Sequence, residues 1–105
     1  MTSDRVRFHP EAAIELEAAV EWYGTRSLRV GDEFVSELDQ AIDKILQSPT
    51  RWQRVFGPWR RYLLHRFPFL IVYRETSPGI EIVAIAHGRR RPGYWRGRVR
   101  SSDPV

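Results

Sequence analysis

The stretch Arg60-Arg-Tyr-Leu-Leu-His-Arg-Phe-Pro-Phe-Leu-Ile-Val-Tyr-Arg-Glu-Thr-Ser-Pro-Gly-Ile-Glu-Ile-Val-Ala-Ile-Ala-His87 decides the fold class. It contains three apolar runs of strand length: Arg60 to Phe67, Phe69 to Glu75 and Ile80 to His87. Phe67-Pro68-Phe69 interrupts the first pair, because proline cannot donate to a ladder and restrains the residue before it. Ser77-Pro78-Gly79 supplies turn residues for the second pair. Connections this short imply antiparallel neighbours. Alternation sets Arg61, Leu63 and His65 on one face of the first run and Arg60, Tyr62, Leu64 and Arg66 on the other. On the last run, Glu81, Val83, Ile85 and His87 share a face by the same rule.

Upstream of the meander the period changes. Ala13, Leu16, Val20 and Tyr23 recur at three and four, one stripe on a helix that begins at His9-Pro10 and closes at Gly24-Thr25. Glu11 and Glu15 lie off the stripe and suit the positive end of the helix dipole. A second helix starts between Leu28 and Gly31 and ends near Ser48-Pro49, with Phe34, Leu38, Ala41, Ile42 and Ile45 as its stripe. The short join predicts an antiparallel helical hairpin. Arg5-Val-Arg-Phe8 alternates like a short strand, and Thr50 to Pro58 is irregular, with Trp52 and Phe56 covering the sheet edge or the helix ends. The expectation is an α+β fold in β-α-α-β-β-β order, a mostly antiparallel sheet with a helical hairpin on one face. At 105 residues the chain is one compact domain, its core about 5–98 and its tail 99–105 loose.

Charge is divided unevenly. Residues 1–50 carry a net −5 and residues 51–105 a net +9, and six arginines fall between Arg89 and Arg100. Burying unpaired cations is too costly for a core, so that segment lies at the surface, where a basic patch suits a polyanion. The chain has no cysteine, which excludes disulfides, thiol catalysis and thiolate metal sites. No metal-ligand spacing, phosphate loop or nucleophile elbow occurs, so no metal or cofactor is expected. No apolar run approaches the length of a membrane span and no leader pattern opens the chain, so the expectation is a cytoplasmic protein without membrane contact.

The residues that could carry chemistry gather after the last strand. His9 reads as a helix cap and His65 as a satisfied sheet residue. His87 ends a strand beside clustered cations. It is either a general acid or base or a histidine hydrogen-bonded at a strand end. Metal-free RNA scission needs a base for the ribose 2′-hydroxyl, cations for the phosphorane and an acid for the departing oxygen. His87, Arg89, Arg90 and Tyr94 are the candidates, with Arg61 or Arg74 projecting from the sheet. Arg91, Arg96 and Arg98 add phosphate contacts. Trp95 either stacks on a base or folds back as a packing anchor.

Taken together, Phe8-His-Pro-Glu-Ala12, Glu21-Trp-Tyr23, Gly31-Asp-Glu-Phe34, Ser48-Pro49, Arg60-Arg61, Phe67-Pro68-Phe69, Tyr73-Arg74 and His87-Gly-Arg-Arg-Arg-Pro-Gly-Tyr-Trp95 with Arg98 resemble the RelE/ParE superfamily of type II toxin–antitoxin toxins. The resemblance spans roughly residues 5–98 and points to the plasmid-stabilisation branch. It implies a toxin neutralised by a cognate antitoxin. It also implies one of two targets: RelE-like members cleave mRNA in the ribosomal A site without a metal, and ParE-like members inhibit DNA gyrase without being nucleases. The reading leans to mRNA cleavage, with gyrase inhibition or a non-toxic nucleic-acid or antitoxin-binding module as alternatives. The sheet carries no lysine, unlike the RelE pattern, and arginine stays protonated and accepts a proton poorly.

Overall fold

A computed structural model describes residues 5–102. The order is β1 (Val6–Phe8), α1 (Pro10–Arg26), α2 (Leu28–Gln47), β2 (Arg54–Phe56), β3 (Trp59–Leu63), β4 (Phe69–Glu75), β5 (Ile80–His87) and α3 (Arg96–Ser102). The strands form one sheet in the order β1-β5-β4-β3-β2. All pairs are antiparallel except β1 with β5, where Val6 lies opposite Ile80 and Phe8 opposite Ile82. The α+β class and the helical hairpin on the sheet are as the sequence predicts.

His9 caps α1: its Nδ1 accepts the Glu11 N–H at 3.0 Å, and Pro10 occupies the first turn, where no donor is needed. One residue joins the helices. Ser27 donates its N–H to the Tyr23 carbonyl and accepts the Val30 N–H on its Oγ, closing α1 and opening α2 together. At this apex a Cβ on Gly31 would meet the Gly24 Cα at 2.8 Å, so the helices touch backbone to backbone. Below it, Tyr23, Phe34, Phe67 and Phe69 pack edge to face or tilted, with centroids 4.9 to 6.3 Å apart. Phe34, Leu38, Ala41 and Ile45 bury the α2 stripe against Tyr62, Ile71, Tyr73, Ile82 and Ile85. The Tyr73 hydroxyl donates to the Pro49 carbonyl at 2.6 Å, and burial pushes its pKa up to about 12. Glu37 of α2 accepts the backbone N–H groups of His65 and Arg66, tying the helix to the β3–β4 turn.

Four sequence expectations are corrected. The Thr50–Pro58 region holds an edge strand, β2, too short to stand out beside Gly57-Pro58. β3 stops at Leu63, which leaves His65 in the turn rather than in the sheet. A bulge at Val72/Tyr73 breaks the alternation in β5. Val83 and Ala84 both face away from the hairpin while Ile82 and Ile85 face it, so Val83 and Ile85 do not share a face. Finally, Val99 to Ser102 continue a helix instead of a loose tail, and Val99 is buried; residues 103–105 of that expected tail lie outside the described residues.

The sheet therefore has two covered faces. Behind the hairpin side, Trp59, Val72, Val83, Ala84, Trp95 and Val99 form a second, smaller core under α3. Gly79 fixes the other end of β5: its φ is +82° and a Cβ there would lie 1.8 Å from the Arg5 carbonyl oxygen. Gly79→Ala must displace β1 as well as strain the turn, so we expect a loss of about 1–3 kcal/mol, read by denaturant unfolding. Amide exchange should rise in β1 before the rest of the sheet.

Candidate functional site

The arginines sort into two sets by what surrounds them. The first set is neutralised. Arg98 places both terminal nitrogens on Glu15, at 3.0 Å to Oε1 and 2.7 Å to Oε2, and also donates to the Val83 carbonyl. The Tyr94 hydroxyl donates to the same Oε2 at 2.7 Å, and the Ile85 N–H donates to Oε1 at 3.0 Å. Arg90 lies 4.0 Å from Glu15 and stacks over the Tyr94 ring, 3.8 Å from its centroid. Burial raises the Glu15 carboxyl, but hydrogen bonds from Arg98, Tyr94 and Ile85 outweigh it, and the net pKa lies below the ordinary value. Burial and the bond to Glu15 push the Tyr94 phenol well above its usual range. Arg74 pairs with Glu81 at 3.0 Å over the Trp59 ring. Glu81 and His87 are six strand positions apart, about 20 Å, so Arg74 does not join the His87 region.

The second set is not neutralised. Among the described residues, Arg61, Arg89, Arg91 and Arg96 have no carboxylate within ion-pair distance. Arg61 donates its Nε to the Gln53 side chain at 3.1 Å, which orients the guanidinium without cancelling it. Arg96 lies over the Phe56 ring, 4.4 Å from its centroid. Arg61, Arg91 and Arg96 wall a cavity of about 260 Å³ whose floor is Leu70, Val72 and Ala86. The loop from Gly88 to Trp95 forms its rim.

His87 stands at the top of β5 between this cavity and the hairpin side. Its ring packs on Phe69 at 5.1 Å, its Nδ1 accepts the Arg89 N–H at 3.0 Å, and its carbonyl accepts the Arg90 N–H at 2.9 Å. That is the strand-end arrangement: with Nδ1 accepting, the neutral ring carries its hydrogen on Nε2, which faces outward as a donor. Trp95 is the packing anchor: it is buried and sits 6.2 Å from both Trp59 and Phe56. It has no face to offer a base.

The site thus brings Tyr94, Arg90 and Arg98 together around Glu15 and brings Arg61, Arg91 and Arg96 together around the cavity. Sequence reasoning missed Glu15, which looked like a surface acid suited to a helix dipole. Its clue was position: one turn into α1 and next to Leu16, at the margin of the apolar stripe. It missed α3 as well, although Trp95 and Val99 are spaced four apart.

Residues 6–92 match the family model for the ParE toxin of the type II toxin–antitoxin system parDE. The chain belongs to the ParE toxin family, and as a ParE-type toxin it has a cognate antitoxin as partner. Toxin ParE2 of Mycobacterium tuberculosis, in strains CDC 1551 / Oshkosh and ATCC 25618 / H37Rv, is 28% identical over 96 residues, covering 90% of this chain and 91% of the relative. A chain of the solved chromosomal ParDE system from P. aeruginosa superposes with a TM-score of 0.66 at 19% identity. That match covers 78% of this chain and 92% of the other and speaks to the fold. Among the described residues, no helix is long and apolar enough to cross a membrane.

Proposed function

We propose that this ParE-type toxin arrests growth by binding and inhibiting DNA gyrase, without cutting RNA. The observation that carries this reading is the bond from the Tyr94 hydroxyl to Glu15. A metal-free nuclease needs a base and an acid on opposite sides of the scissile phosphate. Tyr94 is committed to a carboxylate and its raised pKa keeps it protonated, so it is no base. Arg90 and Arg98 are held by the same carboxylate. Arginines do not accept protons at neutral pH, and His87 alone would have to perform both tasks. Membership of the ParE family supports the gyrase reading over the mRNA cleavage toward which the sequence reading leans. In this reading Glu15, Tyr94, Arg90 and Arg98 hold the shape of a contact surface, and Arg61, Arg89, Arg91 and Arg96 present its charge.

The test uses the purified toxin in two assays. Gyrase supercoiling of relaxed plasmid is expected to fall with toxin concentration and to recover when the antitoxin is added. Ribosome-programmed mRNA is expected to stay intact. Cleaved mRNA with wild type, lost in His87→Ala, together with untouched gyrase, would reverse the assignment.

A further inference from the structure

A second groove lies beside the cavity described above and shares a residue with it. It has a volume of about 690 Å³ and runs between the end of α2 and β3, lined by Lys44, Arg51, Trp52 and His65 among others. Arg61 lines both it and the 260 Å³ cavity. Neither lining contains a carboxylate. Two further grooves among the described residues do: Glu15 lines one beside α1, and Glu33 and Glu37 line one beside α2, which meets the track at Lys44 and His65. Of the cations along the two pockets, Arg90 is paired with Glu15, but among the described residues Lys44, Arg51, Arg61, Arg91 and Arg96 make no ion pair.

Trp52 adds an aromatic component. Arg51 stacks on its ring at 4.8 Å, the Tyr62 ring meets it edge-on at 4.6 Å, and its indole N–H is shielded from solvent without a hydrogen-bond partner. A single small anion would need one pocket. Two pockets of one charge sign, joined through one arginine, suit a linear polyanion with phosphates spaced along it.

We propose that a nucleic-acid strand lies across this track, its phosphates running from Lys44 and Arg51 over Arg61 to Arg91 and Arg96. The track extends the gyrase reading, because gyrase acts on DNA, but it stands on its own observations. Binding is governed by counterion release. About four phosphates at about 0.7 each give a log–log slope of Kd against salt near 3 for a single strand. Arg61→Gln interrupts the middle and weakens binding most. Lys44→Gln/Arg51→Gln and Arg91→Gln/Arg96→Gln act at opposite ends, and each, removing two cations, lowers the slope by about 1.4.

The experiment is fluorescence anisotropy of the purified full chain with a labelled 12-nucleotide single strand and a 12-base-pair duplex, at several salt concentrations. Far-UV circular dichroism verifies that each variant is folded. Losses from both end variants support the track, and the arm that binds more tightly identifies the source of the phosphates. A flat salt response, or two end variants that bind like wild type, overturns it. So does polyglutamate competing as well as the oligonucleotide at equal charge, because the surface would then be one for an acidic protein. Supercoiling inhibition with a flat salt response removes the track and leaves the gyrase reading. Steep, variant-sensitive binding without supercoiling inhibition does the reverse.

Discussion

Trp95→Ala is expected to lower the stability of this domain by about 4 kcal/mol, the range for truncating a large buried aromatic, and the melting temperature by about 20 °C. The indole is 5% exposed and closes the second core with Trp59, Val72 and Val99. Truncation leaves a void that the sheet cannot collapse into, and it frees α3, which has few other apolar contacts. Thermal unfolding monitored by far-UV circular dichroism measures the loss. A tryptophan that stacked on a nucleic-acid base would behave differently: stability would hardly move, and affinity would drop by about 1–3 kcal/mol. An unchanged melting temperature would therefore return Trp95 to the contact surface.

Glu15→Ala is expected to cost about 3 kcal/mol, in keeping with removing one partner of a largely buried ion pair. The variant strands the Arg98 guanidinium, the Tyr94 hydroxyl and the Ile85 N–H together, since all four bonds end on one carboxylate. Glu15→Gln keeps part of the hydrogen bonding and is expected to lose about half as much. The pH dependence follows from the direction of the shift. The folded pKa of Glu15 is lowered, so the carboxylate's contribution is complete above the unfolded value near 4.5 and disappears as pH falls through the folded value. Urea unfolding of wild type and Glu15→Gln between pH 7 and pH 3 checks this. The stability gap should be constant down to about pH 5 and narrow below it. A gap that widens on acidification would mean that Glu15 is not the node.

The hairpin was legible because the Phe34–Leu38–Ala41–Ile45 stripe has one period and one reading. The meander was legible because Pro68 and Pro78-Gly79 punctuate it. What escaped was set by contacts between distant residues. Glu15 lies nearer the apolar stripe than Glu11, but only the arrival of Tyr94 and Arg98 from 79 and 83 residues away makes it a junction. The bulge in β5 is likewise invisible in Ile-Glu-Ile-Val-Ala-Ile, where every residue but one suits either face. For the basic segment, composition revealed the charge but not its partition. Arg90 and Arg98 look the same in sequence as Arg89 and Arg96, and the carboxylate that separates them lies on the first helix.

The bonds to Val83 and Ile85 have a consequence for how the molecule behaves in company. β1 pairs only with Ile80 to Ile82, so the outer margin of β5 beyond it lacks a neighbouring strand. Arg98 fills the Val83 carbonyl there and Glu15 occupies the Ile85 N–H. Two side chains thus do what a missing backbone would. An apolar strand with an open margin invites foreign chains to pair along it, and natural sheets block such margins with charge. The ion pair that organises the C-terminal segment therefore also guards the sheet against self-association, and loss of Glu15 should be visible as aggregation as well as lost stability.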